Sequence, residues 1–183
     1  MLKVEEYNLK IKHKEFKLSK KLIWSIVFVL ILIIIDQSIK IYILKNNLDD
    51  KILIDNTIEI DYVENTGGVF GVAQNSTITF IITNVIVLGL ILRFIYLQQN
   101  EIDTKTLIML LLILAGGFSN FIDRISLGFI VDYINVLPQI NFPRFNLADV
   151  YIVVGWIAFV GTVAVRTIKD LIEIRKDNKN ERS

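Results

Sequence analysis

The sequence predicts an all-α polytopic membrane protein with four transmembrane helices, a small extracytoplasmic β-sheet between helices 1 and 2, and an irregular loop between helices 3 and 4. The first observation is composition, since 53% of the 183 residues are hydrophobic and the mean hydropathy is +0.53. The second is that the apolar residues collect in four blocks, while a bilayer core needs about 20 residues of helix at each crossing. A soluble domain would show shorter apolar runs, broken on a helical or strand period. We therefore expect one membrane domain over residues 1–183.

The four apolar blocks give the predicted spans. The first, LIWSIVFVLILIII, continues through DQSIKIYIL. It lacks a small-x-small cleavage site and is too long for a secretory signal peptide, so we expect it to be retained. The predicted spans cover residues 22–44, 77–97, 106–124 and 148–168.

The distribution of Lys and Arg predicts the orientation. The first 21 residues carry seven Lys against three Glu, and the tail from Arg166 carries six basic residues. Segment 46–76 has one Lys against six acids, and segment 125–147 has a single Arg. We therefore expect the tails 1–21 and 169–183 in the cytoplasm and these two segments on the outer side.

The two outer segments differ in pattern. Within 46–76, ILIDNTIEIDYV alternates apolar and polar residues before a Gly pair, which predicts short strands and a turn at the membrane surface. Segment 125–147 holds both prolines and no long periodic run, which predicts an irregular connection.

Composition also excludes several classes of function. The net charge is +1, and the sequence has no basic face with interleaved aromatic residues of the kind that binds nucleic acid. The chain has no cysteine, which removes disulfides, thiolate metal sites and a cysteine nucleophile. Its one histidine, His13, lies in a Lys-rich tail. We therefore expect no metal and no cofactor.

Four aspartates are predicted to lie at one depth, near the outer end of the spans, and a charge at membrane depth indicates function unless a partner explains it. Asp36 has Lys40 four residues on, a spacing that pairs charges on one helix face. For Asp123 the structural alternative is a local ion pair with the adjacent Arg124 at the end of the helix. Asp149 ends an Asn-Leu-Ala-Asp stretch with the spacing of a capping box. Asp132, within GFIVDYI, has no such structural explanation.

Two aspartates held close together supply acid–base chemistry without His, Cys or metal, because they share a proton across neutral pH. One activates a water and the other donates to the carbonyl or leaving group, so peptide hydrolysis fits. Two alternatives remain on spacing alone: a transport or channel-like protein with a polar path, and a noncatalytic scaffold that tolerates Asn in place of Asp. A path needs polar residues at several depths, whereas these cluster at the outer end.

The blocks DQSIK, NTGGVF, NFIDR, IVDYI and FPRFNLAD resemble, in order and position, those of the lipoprotein signal peptidase family, signal peptidase II. The resemblance covers roughly residues 22 to 168. It implies an aspartic endopeptidase of the bacterial plasma membrane that removes the signal peptide of prolipoproteins before a diacylglyceryl-modified cysteine. Its partners would be that substrate and membrane lipid, and we expect a monomer with its active site near the outer leaflet. The outer β segment resembles the family's cradle on the membrane surface.

The resemblance also implies roles for individual residues. The catalytic pair falls on Asp132 and Asp149. The positions that bind substrate or hold the pair are Asn65, Asn120, Arg124 and Asn146. The supporting positions are Asp36, Lys40, Asp123 and Gly67.

The chain departs from the family's blocks in three places. Gly68-Val69 stands in a block that often reads NTGAAF, and GGFSN, with Phe118 and Ser119, stands where GALGN is common. Small residues permit close approach of helices in membranes, so packing near the site is expected to differ. IVDY replaces VVDF, so Tyr133 is expected to add a hydroxyl beside Asp132.

Overall fold

A computed structural model describes residues 19–46, 48, 51–67, 76–140 and 142–180. Residues 1–18, with His13, and the Gly68-Val69 pair lie outside this part of the chain. The described helices are α1 (Lys20–Asn46), α2 (Thr77–Leu97), α3 (Thr104–Ser126) and α4 (Leu147–Asn180). The strands are β1 (Lys51–Ile54), β2 (Ile58–Asn65) and β3 (Ile130–Val136), and a short 3₁₀ turn covers Pro138–Ile140.

All four described helices are long and apolar enough to cross a membrane, which confirms the predicted fold class of a multi-pass, mostly helical protein with a small sheet. Helices suit this environment because each satisfies its own backbone hydrogen bonds where no water is present. In the fourth helix the prediction ended at residue 168, but α4 continues as helix through the charged residues to Asn180.

Helix α3 lies at the centre of the helical bundle. Within its apolar stretch 67% of the residues are buried, against 11% in α1 and α4 and 6% in α2. The core of the helical bundle includes Leu110, Ile113 and Leu114 of α3, and Leu88 of α2 packs with them. The other three helices therefore expose most of their apolar side chains outward, where lipid would cover them.

Two glycines allow α3 and α4 to touch through their backbones. A Cβ on Gly116 would overlap the carbonyl oxygen of Ala148 and would lie 2.7 Å from Ile152 Cγ1. A Cβ on Gly155 would lie 2.7 Å from the carbonyl oxygen of Met109. Small residues at a membrane helix interface permit such close approach. The first turn of α4 is consequently fixed tightly against α3.

The sheet is antiparallel in the order β1-β2-β3, so the third strand comes from the segment between α3 and α4. This segment is therefore more regular than the irregular loop that the sequence predicted. IVDYINV has apolar residues on both faces of the strand, and the burial of nearly all of β3 explains why no alternation marked it. A bulge in β2 lies between Ile60 and Val63, after which Val63 faces Asp132 in the ladder.

The end of the bundle opposite the sheet is closed by polar contacts to the α2–α3 turn. Lys21 Nζ donates to the carbonyl of Ile102 at 2.7 Å, and Arg166 pairs with Asp103 at 2.7 Å. Asp103 also caps α3 by accepting from the backbone N–H of Thr106 at 3.1 Å. These contacts hold the start of α1 and the middle of α4 at one level.

Candidate active site

Asp132 lies on β3 and is nearly fully buried, at 2% exposure. Its Oδ2 accepts from Asn65 Nδ2 at 2.8 Å, and its Oδ1 accepts from Asn146 Nδ2 at 2.7 Å. The end of β2 supplies Asn65, and the residue just before α4 supplies Asn146. Both carboxylate oxygens are thus held by amide donors from two different elements.

Asp149 lies in the first turn of α4 and is partly exposed. The predicted capping box is present: Asn146 Oδ1 accepts from Asp149 N–H at 2.9 Å, and Asp149 Oδ2 accepts from Asn146 N–H at 3.1 Å. Its other oxygen, Oδ1, accepts from Asn120 Nδ2 at 2.7 Å. The structural and functional interpretations of Asp149 are therefore compatible, since capping orients the carboxylate toward the rest of the site.

Asn120 and Asn146 connect the two aspartates. Asn146 Nδ2, which donates to Asp132, also lies 3.1 Å from Asn120 Oδ1, and Asn120 Nδ2 donates to Asp149. Asn146 is fully buried and Asn120 is 4% exposed. The structure thus brings the two predicted aspartates into one hydrogen-bond network through a pair of amides from α3 and the start of α4.

A buried lysine supports this network from α1. Lys40 Nζ lies 2.9 Å from Asp36 Oδ2 and 2.8 Å from Asp123 Oδ2, and it donates to Asn120 Oδ1 at 2.9 Å. The predicted Asp36–Lys40 pair is present. For Asp123 the proposed pairing with the adjacent Arg124 is wrong, because its ion-pair partner is Lys40 of another helix. Consecutive residues on a helix point in different directions, so the two neighbours do not meet.

Arg124 and Gly67 meet at the edge of the site. Arg124 Nη2 donates to the carbonyl of Gly67 at 3.1 Å, and its guanidinium stacks 4.8 Å from the Phe80 ring centre. Gly67 N–H in turn donates to Asn65 Oδ1 at 3.0 Å. The Arg124 side chain is 8% exposed, and its Nε has no partner within the described residues. Among the described residues, this Nε is therefore an unpaired buried donor at the edge of the site.

Burial, and then the negative charge of Asp149, raise the pKa of Asp132 to about 7, against the opposing effects of Asn65, Asn146 and Lys40. Burial disfavours the charged form of a carboxyl, and a nearby like charge does the same. The sensitivity of Asp132 to Asp149 agrees with their joint hydrogen-bond network. A carboxyl that keeps its proton to neutral pH beside a second carboxyl can act as a general acid.

Two polar residues were missed by the sequence reasoning about the site. Gln37 Nε2 donates to Asp123 Oδ1 at 2.7 Å and to Ser119 Oγ at 2.9 Å, and Ser119 Oγ donates to Asp36 Oδ2 at 2.6 Å. The available signal was a polar residue inside an apolar span, which applies to both of them.

The sequence predicted that the Tyr133 hydroxyl lies beside Asp132, and this prediction is wrong. Successive side chains of a strand point to opposite faces, so Tyr133 packs with Ile43 and Val131 on the α1 side of the sheet. Burial, and then the charge of Asp36, raise the pKa of its hydroxyl well above its usual value. The Tyr133 side chain thus lies on the face of the sheet opposite Asp132, within range of the charges of Asp36 and, more weakly, Asp149.

The buried polar side chains gather at one end of the bundle. The second half of α1, the last turns of α3, the start of α4 and the sheet contribute nearly all of them. Among the described residues, Ser25 and Thr106 are the buried polar side chains toward the other end. A polar path through the membrane needs such residues at several depths, so this arrangement favours a site at one surface over a channel.

Fold and site together define a class: a multi-pass membrane protein whose buried polar residues converge on two aspartates at one end of its helices. The chain belongs to the signal peptidase II family, because the family model described as Signal peptidase (SPase) II matches residues 28–165. That range includes every residue proposed for the site.

Relatives of known name and solved structures agree with the family. The lipoprotein signal peptidase of Clostridioides difficile (strain 630) is 37% identical over 132 residues, covering 71% of this chain and 87% of the relative. That of Streptococcus pneumoniae (strain ATCC BAA-255 / R6) is 41% identical over 133 residues, covering 70% and 84%. A bacterial membrane enzyme solved by the in meso method at 2.3 Å resolution is similar with a TM-score of 0.71 and 26% identity, covering 78% of this chain and 88% of that one.

Proposed function

We propose that this protein is an aspartic endopeptidase that removes the signal peptide of diacylglyceryl-modified prolipoproteins, cutting before the lipidated cysteine. The observation that carries the proposal is the network in which Asn120 and Asn146 join Asp132 to Asp149. The relatives named lipoprotein signal peptidase supply the substrate class. The proposed site needs neither a metal nor a cofactor for hydrolysis.

In the proposed mechanism Asp132 carries the proton of the pair and Asp149 is the base. The raised pKa of Asp132, about 7, supports the first assignment. The first turn of a helix favours a carboxylate, which supports the second. Asp149 takes a proton from water as the water attacks the scissile carbonyl, and Asp132 donates its proton to the carbonyl oxygen. The tetrahedral intermediate then collapses: the C–N bond breaks as Asp149 gives its proton to the leaving nitrogen, and Asp132 takes a proton back from a hydroxyl of the intermediate, which restores the pair.

The remaining polar groups would hold the substrate. Arg124, whose Nε has no partner among the described residues, and Gly67, whose carbonyl it contacts, lie at the edge of the site where an extended peptide would pass. Asn65 would orient Asp132 while Asn120 and Asn146 hold the pair together. The substrate's lipid would fix its cleavage site at the membrane surface, which explains two aspartates at the end of the helices.

Orientation and assembly complete the proposal. Both termini would face the cytoplasm of a bacterial cell, with the sheet and the active site at the outer leaflet of the plasma membrane. The sheet would then form a cradle on the membrane surface. We propose that the enzyme acts as a monomer, with the lipid-modified prolipoprotein and membrane lipid as its partners.

The test is cleavage of a diacylglyceryl-modified prolipoprotein by purified protein in detergent or lipid. We expect Asp132→Asn and Asp149→Asn each to lower the rate by about 10³-fold, within the range for loss of general acid–base catalysis. Asp55→Asn, at an exposed turn, is the control and should keep the wild-type rate. A chelator should have no effect. If folded Asp132→Asn or Asp149→Asn cleaves at a near-normal rate, the pair is wrong and Asp123 or Asp36 becomes the candidate.

A further inference from the structure

Ser119 lies beside Asn120 in α3 and is fully buried. Its hydroxyl donates to Asp36 Oδ2 at 2.6 Å and accepts from Gln37 Nε2 at 2.9 Å. Both partners belong to α1, so the hydroxyl links the two helices. An O–H···O⁻ hydrogen bond of this length is charge-assisted and is among the stronger hydrogen bonds in proteins.

Asp36 transmits this contact to α4. Its second oxygen, Oδ1, accepts from the backbone N–H of Ala148 at 2.9 Å, and Ala148 immediately precedes Asp149. The carboxylate is fully buried, and its Oδ2 also contacts Lys40. A carboxylate with one oxygen on α3 and the other on the first turn of α4 fixes the position of that turn.

The first turn of α4 has little freedom to adjust on its own. The backbone of Ala148 lies against Gly116 so closely that a single added carbon would overlap its carbonyl oxygen. Two contacts thus hold this turn, the packing on Gly116 and the hydrogen bond to Asp36, and a weaker hold by Asp36 would let the Ala148 N–H and the adjacent Asp149 shift within that packing. A displacement of about 1 Å in a reacting group is enough to lower a rate by about 10²-fold.

We propose that the Ser119 hydroxyl is a positioning residue of this enzyme, which holds Asp36 against the start of α4 and thereby sets the position of Asp149. The proposal rests on the proposed function, because it assigns Asp149 a catalytic role.

The kinetic test compares Ser119→Ala with Ser25→Ala. Ser25 is also buried, but its hydroxyl donates within α1, to the carbonyl of Lys21, at the other end of the bundle. We expect Ser119→Ala to lower kcat by about 10-fold, the effect of losing one hydrogen bond to a charged group, while KM changes less than twofold. Ser25→Ala should change neither. Ser119→Gly also removes the hydroxyl and adds no bulk, so it should repeat the loss. A kcat for both Ser119 variants equal to that of Ser25→Ala would overturn the proposal.

A double-mutant comparison tests the route through Asp36. If Ser119 acts through that carboxylate, adding Ser119→Ala to Asp36→Asn should lower kcat by less than twofold more. A further 10-fold loss in the Asp36→Asn background would mean that Ser119 acts by another route, which overturns the proposal.

Hydrogen exchange separates this proposal from the proposed function, because it needs no activity. Ser119→Ala should speed exchange of the backbone amides of residues 147–150 by about 10-fold, because Asp36 loses the Ser119 hydroxyl and then holds the Ala148 N–H less firmly, and Ser25→Ala should leave it unchanged. If wild type does not cleave yet Ser119→Ala speeds this exchange, the function fails and the positioning stands. Unchanged exchange in Ser119→Ala overturns the positioning whether or not the protein cleaves.

Discussion

Asp132 combines burial with a neighbouring charge, and its chemistry should be visible in a pH profile. Its pKa is raised to about 7, so the proton that the mechanism needs is present below that value and is lost as the pH rises through it. We therefore expect kcat/KM to fall above about pH 7. The measurement is cleavage rate against pH, and a rate that is flat to pH 9 would contradict the assignment of the proton to Asp132.

Replacing Asn65 should move this alkaline limb. Asn65 donates to Asp132 Oδ2 and so favours its charged form. Asn65→Leu removes that donor, and the limb should shift to higher pH by about one unit, given the strength of hydrogen bonds to charged groups. Asn46→Leu, exposed at the end of α1, is the matched control and should leave the profile in place. A shift to lower pH in Asn65→Leu would be inconsistent with this role.

Lys40 is expected to matter for folding as well as for the site. It is 1% exposed and lies between two buried carboxylates, Asp36 and Asp123. Removing one member of a buried charge network leaves uncompensated charge and costs about 3–5 kcal/mol. Lys40→Met should therefore unfold at a much lower temperature than wild type in detergent. Lys45→Met, at an exposed site in the last turn of α1, should unfold at the wild-type temperature. Equal melting of the two variants would show that the network contributes little.

For individual residues, the sequence predicted the contacts between residues that are close to each other along the chain. The Asp36–Lys40 pair and the capping box at Asp149 depend on fixed spacings along one helix, and both are present. The partner of Asp123 comes from another helix, and no spacing along the chain encodes that contact. The direction of Tyr133 depends on which face of β3 is packed on α1, which is likewise a property of the assembled fold.

At the scale of elements, the contact between α3 and α4 determines where the first turn of α4, which carries Asp149, lies. Gly155 and Gly161 are both on α4, but a Cβ on Gly155 would meet α3 backbone, whereas a Cβ on Gly161 meets nothing within 4 Å. We expect Gly155→Ala to lower stability by about 1–3 kcal/mol through overpacking. Gly161→Ala should be neutral or slightly stabilising, because alanine favours helix more than glycine does.

Thermal unfolding and cleavage of these two variants provide the measurement. Gly155→Ala should also cleave more slowly, since separating the helices moves the start of α4. A Gly155→Ala variant as stable and as active as Gly161→Ala would mean that the helices separate at no cost.

The elements themselves were predictable to different degrees. The four long helices were visible as apolar blocks because lipid selects length and hydrophobicity directly. The strands β1 and β2 were visible as alternation, since part of that hairpin is exposed. β3 was not, because a strand buried on both faces loses the alternation that identifies it. Membership of the sheet then depended on a ladder to β2 across more than sixty residues.

At the scale of the whole molecule, the proposed function requires the sheet and both aspartates to lie outside the cytoplasm. The charge distribution supports this orientation: the segment that carries β1 and β2 has one Lys against six acids, whereas the tail from Arg166 has six basic residues. The α2–α3 turn contacts Lys21 and Arg166, so it should lie on the same side as both tails. In the proposed orientation, the end of the bundle that carries the two aspartates would be the outer end.

Cysteine labelling can test this orientation without background, because the chain has no cysteine of its own. Single substitutions Asp55→Cys in the β1–β2 turn, Asn100→Cys in the α2–α3 turn and Asn178→Cys near the end of α4 all fall at exposed positions. In intact cells a membrane-impermeant maleimide should label Asp55→Cys and neither of the other two, and after permeabilisation it should label all three. Labelling of Asn100→Cys or Asn178→Cys in intact cells, with Asp55→Cys protected, would place the two aspartates on the cytoplasmic side. A prolipoprotein cut at the outer surface could not then be the substrate.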